Sequence, residues 1–259
     1  IKADGSKVTV NIGEAEGDPV FCVTDLLPHL ATEQMKRQSV GLIRGEELNV
    51  LVGSMPFKKS EESEAVKLNL LHILYEKYGI TEADFVSAEL EAVPAFPVKE
   101  IGFDRSMIGG YGHDDRVCAY TSLRAVVDAG KCKYTTCAYL VDKEEIGSVG
   151  ATGAQSDWYE NVIAELINLT TDYSELKVRH AMQNTRMLSS DVSAGVDPLY
   201  MGVFEAKNAA YLGHGICFNK YTGARGKSGC NDADPKYIAQ IRKIMDENNI
   251  NFQTAELGK

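Results

Sequence analysis

The second part of this chain alternates strand-like and helical patterns, which restricts the folds open to it. Strand-like stretches at 133–141 and 185–188 alternate with helical patterns at 116–129, 157–168 and 235–247. In the helical patterns, apolar residues recur three and four positions apart, as one face of an α-helix requires. Alternation of this kind is typical of a mostly parallel sheet with helices on both faces. The sequence therefore predicts an α/β fold for this part.

A change of pattern near residue 104 divides the chain. Before it, one helical pattern ends at Gly79, a residue type that commonly follows a helix. Three short stretches there alternate in hydrophobicity, at 7–12, 48–52 and 85–91. We therefore predict a β-rich α+β module over residues 1–104 and the α/β part over residues 105–259.

Composition excludes several classes of protein. Of the 259 residues, 44% are hydrophobic and 25% charged, which is ordinary for globular domains. The net charge of -10 argues against binding to nucleic acid, because phosphate contacts need a basic face. No apolar run approaches the ~20 residues of a membrane span. The six cysteines show no paired or metal-binding spacing, so we interpret them as free thiols of a cytoplasmic protein.

Acidic residues stand at three predicted junctions between regular elements. Glu144 and Glu145 follow the first predicted strand of this part, Asp114 precedes its first helix, and Asp191 follows its second strand. Loops at the carboxyl ends of strands converge on one crevice, where unpaired carboxylates repel one another. A divalent metal would compensate their charge. For the glutamate pair alone, a solvated acidic turn is the simpler interpretation.

These junctions carry motifs that resemble a known family. The order and spacing are similar to those of the M18 metallo-aminopeptidases, the aspartyl aminopeptidase and aminopeptidase I group. The matching segments are Gly112-His-Asp-Asp-Arg116, Asp142-Lys-Glu-Glu-Ile-Gly-Ser148, Ser189-Ser-Asp-Val192 and Asp197-Pro-Leu-Tyr200, with 21–30 ahead of them. The resemblance implies a catalytic domain of the zinc-peptidase type over 105–259 and a dimerisation domain over 1–104.

The resemblance also implies roles for individual residues. Asp114 would bridge two divalent metal ions, Glu145 would bind one of them, and Asp191 would bind the other. Glu144 would be the general base that activates water, and the Asp114–Asp115 peptide bond would be cis. The two ions would be zinc, with cobalt or manganese as alternatives, because carboxylate and histidine ligands suit all three.

His29 is the candidate outside the predicted metal site. By resemblance it would reach into the active site of a partner subunit, so that activity would require a homodimer, and such dimers would build a tetrahedral dodecamer. The substrates implied are peptides with a free N-terminus. The residue alone allows a simpler interpretation, in which His29 satisfies a local backbone group beside its neighbouring leucines.

Some expected features of the family are missing. Two histidine ligands come from segments that cannot be found here, so we predict an internal fragment that is inactive as it stands. Residues 193–195 also replace a histidine of the family. One alternative function is a non-catalytic assembly subunit. Another is nucleotide binding by 222–228, but Tyr221 stands where a phosphate loop needs glycine. Arg225 and Lys227 are interpreted as surface charge, or else as lining a peptide cleft.

Overall fold

The computed structural model of the protein describes residues 1–58, 63–222 and 231–255. Arg225 and Lys227 therefore lie outside the described residues. The chain divides into two compact units, Ile1–Tyr111 and Gly112–Lys259. The assignment of residues 1–104 to dimerisation and of 105–259 to catalysis stays a prediction.

The first unit contains short elements and two antiparallel strand pairs. Its strands are β1 (Cys22–Val23), β2 (Val50–Leu51), β3 (Lys99–Ile101) and β4 (Met107–Gly109). Its helices are α1 (Thr32–Met35) and α2 (Ala65–Tyr78), with 3-10 turns at Ser39–Gly41, Gly45–Glu47 and Glu82–Ser87. Strand β1 pairs with β2, and β3 pairs with β4, both antiparallel. The described part of this unit therefore combines helices with two separate two-stranded antiparallel ladders.

Helix α2 ends where the sequence predicts. Gly79 adopts the left-handed conformation at φ 61°, which costs a residue without a side chain little. Its backbone N–H donates to the carbonyl of Tyr75, and the N–H of Ile80 donates to the carbonyl of Leu74. These two bonds satisfy carbonyls that the last helical turn leaves without partners. The predicted end of the helix at Gly79 is confirmed.

The second unit is richer in helix. Its helices are α3 (His113–Ala129), α4 (Trp158–Thr170), α5 (Glu175–Asn184) and α6 (Pro235–Glu247), with 3-10 turns at Glu144–Ile146 and Pro198–Val203. Its strands are β5 (Ile216–Phe218), β6 (Tyr221–Thr222), β7 (Asn231–Asp232) and β8 (Phe252–Thr254). The helical patterns predicted at 116–129, 157–168 and 235–247 correspond to α3, α4 and α6.

Strands β5 and β8 form a parallel pair, and the chain between them includes α6. Asp234 caps that helix by accepting a hydrogen bond from the backbone N–H of Lys236 at 2.8 Å, and Pro235 occupies the first helical position. The rings of Phe218 and Phe252 stack across the pair at 5.3 Å between centroids. This strand–helix–strand unit is the part of the predicted α/β pattern that the structure contains.

The wider prediction of a mostly parallel sheet with helices on both faces is not confirmed. Within the described ranges, β5–β8 is the sole parallel ladder of named strands, and the other three pairs are antiparallel. The strands predicted at 133–141 and 185–188 are wrong, since neither segment is assigned to a strand. Hydrophobic patterning reports which side chains would share a face, whereas a strand also needs a hydrogen-bonded neighbour.

Two predicted strands of the first unit are also wrong. Residues 7–12 have no strand assignment, and the stretch 85–91 begins inside the 3-10 turn Glu82–Ser87. That turn is stabilised by Asp84, which accepts hydrogen bonds from both the backbone N–H and the hydroxyl of Thr81. A capping interaction of this kind competes with strand formation. The prediction at 48–52 corresponds to β2, although the strand is shorter.

Burial is concentrated in a few positions. Val178 on α5, where α4 and α5 pack together, is the most completely buried large side chain among the described residues, at 1% exposure. The other buried apolar residues of the described part are small: Ala31, Ala65, Ala209, Ala210 and Ala255. No polar or charged residue that the structure describes is buried. The acidic candidates therefore lie on accessible surface.

Candidate metal centre

The first turn of α3 carries two of the acidic residues. It follows Gly112, which has a left-handed conformation at φ 69°. Asp114 has ψ 112° and Asp115 has φ -115°, so neither residue is helical, and the regular helix begins after them. The peptide bond between them is cis, which confirms what the resemblance implies. Their side chains are exposed at an irregular helix start.

Asp191 approaches the same place from another loop. Its Oδ1 accepts a hydrogen bond from the backbone N–H of Val192 at 2.7 Å. One carboxylate oxygen each from Asp114, Asp115 and Asp191 can be chosen so that all three lie within 4.8 Å of one another. We call these three residues the aspartate cluster. Segments more than seventy positions apart in the sequence therefore meet here.

Cys118 lies one helical turn beyond the start of α3 and is within electrostatic reach of the cluster. Burial raises the pKa of its thiol to about 11, and a hydrogen bond to Asp115 and the charges of Asp115 and Asp191 act in the same direction. Ser190 acts in the opposite direction. The thiol therefore stays protonated near neutral pH.

The two glutamates occupy a tight turn. Lys143 before it is left-handed at φ 69°, Glu144–Ile146 forms a single 3-10 turn, and Gly147 after it is left-handed at φ 96°. The Lys143 ammonium pairs with Asp142 at 2.9 Å. Both glutamates are exposed at the surface of the second unit.

Glu144 is within electrostatic reach of the aspartate cluster. Although the residue is exposed, desolvation of its carboxyl group is the largest cause that raises its pKa, and the next largest causes are the negative charges of Asp191 and Glu145. The charges of Asp114 and Asp115 also raise this pKa. The carboxylates at the other two predicted junctions thus act on Glu144.

The predicted site residues are brought together only in part. Asp114 and Asp191 meet in the aspartate cluster. Among the described residues, Glu145 is not part of that cluster. Asp115, to which the sequence analysis gave no role, joins it. The signal for Asp115 was its position beside Asp114, but adjacency does not show which way a side chain points.

His29 lies in the first unit. It is exposed, on a turn in which the N–H of Leu30 donates to the carbonyl of Leu27 at 2.8 Å. Its predicted role in a partner's active site stays a prediction. The cysteines 22, 118, 132, 137 and 217 are free, as predicted, and Cys230 lies outside the described residues.

The donors of the aspartate cluster fit a divalent cation. Carboxylate oxygens bind zinc at about 2.0–2.2 Å, so two oxygens on one ion lie at most about 4.4 Å apart, and oxygens bound to a bridged pair of ions can lie further apart. A mutual separation within 4.8 Å is therefore close to what coordination needs. Exposed carboxylates can also adjust by rotating their side chains. The cluster defines a candidate site for a metal-dependent protein.

Comparison with known proteins identifies the family. The whole chain, residues 1–259, matches the family model described as aminopeptidase I zinc metalloprotease (M18). The chain belongs to the M18 family of aminopeptidases. Among curated relatives, the probable M18 family aminopeptidase 1 of Clostridium acetobutylicum is 57% identical over 259 residues. The corresponding protein of Thermotoga maritima is 46% identical over 259 residues.

Solved structures agree with this membership. The crystal structure of aminopeptidase I from Clostridium acetobutylicum matches the whole chain with a TM-score of 0.89 and 55% identity, and the M18 structure from Thermotoga maritima matches with 0.92 and 44%. A more distant structure, described as an mApe1 dodecamer from S. cerevisiae, has a TM-score of 0.58 at 20% identity and shows the fold alone. This chain spans 56% of the length of the two curated relatives.

In the part of the chain that the structure describes, no helix combines the length and the apolar character needed to cross a membrane.

Proposed function

We propose that the full-length protein is a metal-dependent aminopeptidase that removes the N-terminal residue from peptides with a free N-terminus. The observation that carries this proposal is the convergence of Asp114 and Asp191 within 4.8 Å, in a chain of a zinc metalloprotease family. Because the chain covers 56% of its relatives' length, the proposal concerns the longer protein.

Three residues of this chain are proposed as metal ligands. Asp114 would bridge two ions, and Asp191 and Glu145 would each bind one of them. The aspartate cluster supports the first two assignments. Glu145 would have to turn its exposed side chain towards the cluster from the neighbouring turn. Histidines from outside this sequence would complete the set, and zinc is the proposed metal, with cobalt or manganese as alternatives.

Glu144 is proposed as the general base. When bound, the two ions would supply Lewis acidity that activates water and polarises the scissile carbonyl. Glu144 would accept a proton from the attacking water as the new carbon–oxygen bond forms. It would then donate that proton to the amine as the carbon–nitrogen bond breaks. This role needs a carboxylate beside the ligands but not among them, which the position of Glu144 next to Glu145 provides.

His29 is proposed to act in the active site of a partner subunit, where it would contact the substrate. This requires a homodimer, and we propose that dimers assemble further into a tetrahedral dodecamer. The mApe1 structure from S. cerevisiae, described as a dodecamer, supports the larger assembly by its likeness of fold. A cytoplasmic location is proposed from the free cysteines of the described residues.

Substitution Glu144→Gln in the full-length protein tests the proposed base. The amide keeps the shape of the side chain but cannot accept the proton, so we expect kcat on unblocked peptides to fall by about 10²–10⁴-fold. Metal content should stay near that of the unaltered protein. Glu160→Gln, an exposed glutamate on α4, is the matched control and should leave kcat unchanged.

Two results would contradict the proposal. Retained hydrolysis by the Glu144→Gln protein would exclude Glu144 as the base. A full-length protein that self-associates but releases no N-terminal residue from any unblocked peptide would instead favour a non-catalytic assembly subunit.

A further inference from the structure

We propose that Gln155 is a positioning residue that holds the turn carrying Glu144 and Glu145 in place, an inference that rests on the proposed function of those glutamates. Within that turn, the N–H of Gly147 donates to the backbone carbonyl of Glu144 at 2.9 Å, and the N–H of Ser148 donates to the backbone carbonyl of Lys143 at 2.7 Å. Ser148 itself is left-handed at φ 59°. The turn belongs to no helix longer than three residues and to no strand, so contacts from elsewhere decide its orientation.

Gln155 supplies two such contacts from the following loop. Its side-chain Nε2 donates to the carbonyl of Gly147 at 2.7 Å, and its backbone N–H donates to the carbonyl of Ser148 at 3.1 Å. The two acceptors are consecutive and lie directly after the glutamate turn. One residue therefore fixes both the position and the direction of the chain as it leaves the turn.

The same loop also contacts the chain before the turn. The N–H of Asp142 donates to the carbonyl of Thr152 at 3.4 Å. Between these contacts, Gly153 is buried, and a Cβ there would lie 2.2 Å from the carbonyl oxygen of Ser148. The backbones approach too closely for any side chain at residue 153. Thr152, Gly153 and Gln155 thus hold the glutamate turn on both sides, and we call residues 152–155 the supporting loop.

The chemistry of glutamine suits this place. Glu144 and Glu145 carry like charges next to the aspartate cluster, so their repulsion favours outward movement of the turn. A neutral amide donates a hydrogen bond without adding a cation that would compete for the carboxylates. By contrast, a glutamate at residue 155 would remove the donor and place another negative charge beside the turn.

Gln155→Met in the full-length protein tests the role of the amide. Methionine has a similar length but no donor, so the Gly147 carbonyl loses its partner while the backbone bond to Ser148 remains. Because misplacing a catalytic group by about 1 Å can cost about 10²-fold, we expect kcat to fall between about 10-fold and 100-fold. KM should change little. Gln183→Met, at an exposed glutamine of α5, is the matched control and should leave kcat unchanged.

Hydrogen exchange provides a measurement that does not depend on activity. In the Gln155→Met protein, we expect faster exchange at the amides of Gly147 and Ser148, and unchanged exchange in α4 and α5. Gln155→Glu should show the same pattern with a larger loss of kcat. A role in general stability alone would instead raise exchange throughout the second unit and leave kcat per folded molecule unchanged.

Parallel measurement of Glu144→Gln separates the two possible failures. An active Glu144→Gln protein overturns the proposed function and this inference with it. An inactive Glu144→Gln protein beside a fully active Gln155→Met protein refutes the positioning role alone. Unchanged exchange at Gly147 and Ser148 in the Gln155→Met protein also refutes it.

Discussion

Replacing Gly153 by alanine should displace the glutamate turn without changing any acidic residue. The new Cβ would lie 2.2 Å from the carbonyl oxygen of Ser148 and 2.5 Å from its carbonyl carbon, whereas ordinary contact begins near 3.4 Å. The new Cβ would therefore lie about 1 Å too close to the carbonyl oxygen of Ser148. All the atoms it meets belong to the backbone, so they cannot relieve the contact by changing a rotamer. The turn and the supporting loop must separate.

The expected loss follows from this distance. A misplacement of about 1 Å costs about 10²-fold in rate, which corresponds to about 2.7 kcal/mol of activation free energy. Overpacking also destabilises a protein by about 1–3 kcal/mol, so the rate must be expressed per folded molecule. We expect the Gly153→Ala full-length protein to retain its KM and lose about 10²-fold in kcat on an unblocked peptide.

Gly202→Ala is the matched control for this substitution. A Cβ at residue 202 meets nothing within 4 Å, and Gly202 does not have positive φ. The control should therefore keep its kcat. If Gly153→Ala folds and hydrolyses peptides as fast as the unaltered protein, the supporting loop does not fix the position of Glu144.

Two further predictions concern the first unit. Arg37 donates to both carboxylate oxygens of Glu47 at 2.8 Å and, with the Arg44 N–H, lowers the pKa of that group from 4.5 to about 2. Glu47 therefore contributes stability above pH 4.5 that is lost as the pH falls through about 2. In urea unfolding, Arg37→Met should be less stable than the unaltered protein at pH 6, and the difference should shrink as the pH falls towards 2. The part that remains at low pH comes from the lost hydrogen bond of Arg37 to the carbonyl of Leu42. A difference that does not change with pH would contradict this. Mixing inactive full-length His29→Ala and Glu144→Gln proteins should restore about a quarter of the activity. About half of the randomly formed dimers contain one chain of each kind, and one of the two active sites in such a dimer combines an intact Glu144 with an intact His29 of the partner. No recovery after subunit exchange would exclude a role for His29 in the partner's site.

Local structure could be read from the sequence because its causes are local. The end of α2 depends on Gly79, and the start of α6 depends on Asp234 and Pro235, all of which are visible in the chain itself. Strand pairing depends on distant partners, so the patterns at 133–141 and 185–188 predicted strands that the structure does not contain. Periodicity predicts an exposed or buried face but not the neighbour that a strand requires.

The residues of the candidate site could also be predicted from the sequence only in part. Motif resemblance brought Asp114 and Asp191 together correctly as neighbours in space, although they are 77 positions apart. It did not indicate Asp115, whose position depends on the irregular first turn of α3. Nor could it show that Glu145 lies outside the aspartate cluster, because two adjacent side chains in a 3-10 turn diverge and the pattern does not say which one faces the cluster.

The proposed function depends above all on metal binding by Asp114, between the two other acidic segments. Anomalous scattering at the zinc edge from crystals of the full-length protein tests it directly. We expect two zinc peaks, each about 2.0–2.2 Å from an oxygen of Asp114, with Asp191 bound to one of them. Fully occupied zinc bound elsewhere, with the Asp114 carboxylate free of metal, would contradict it.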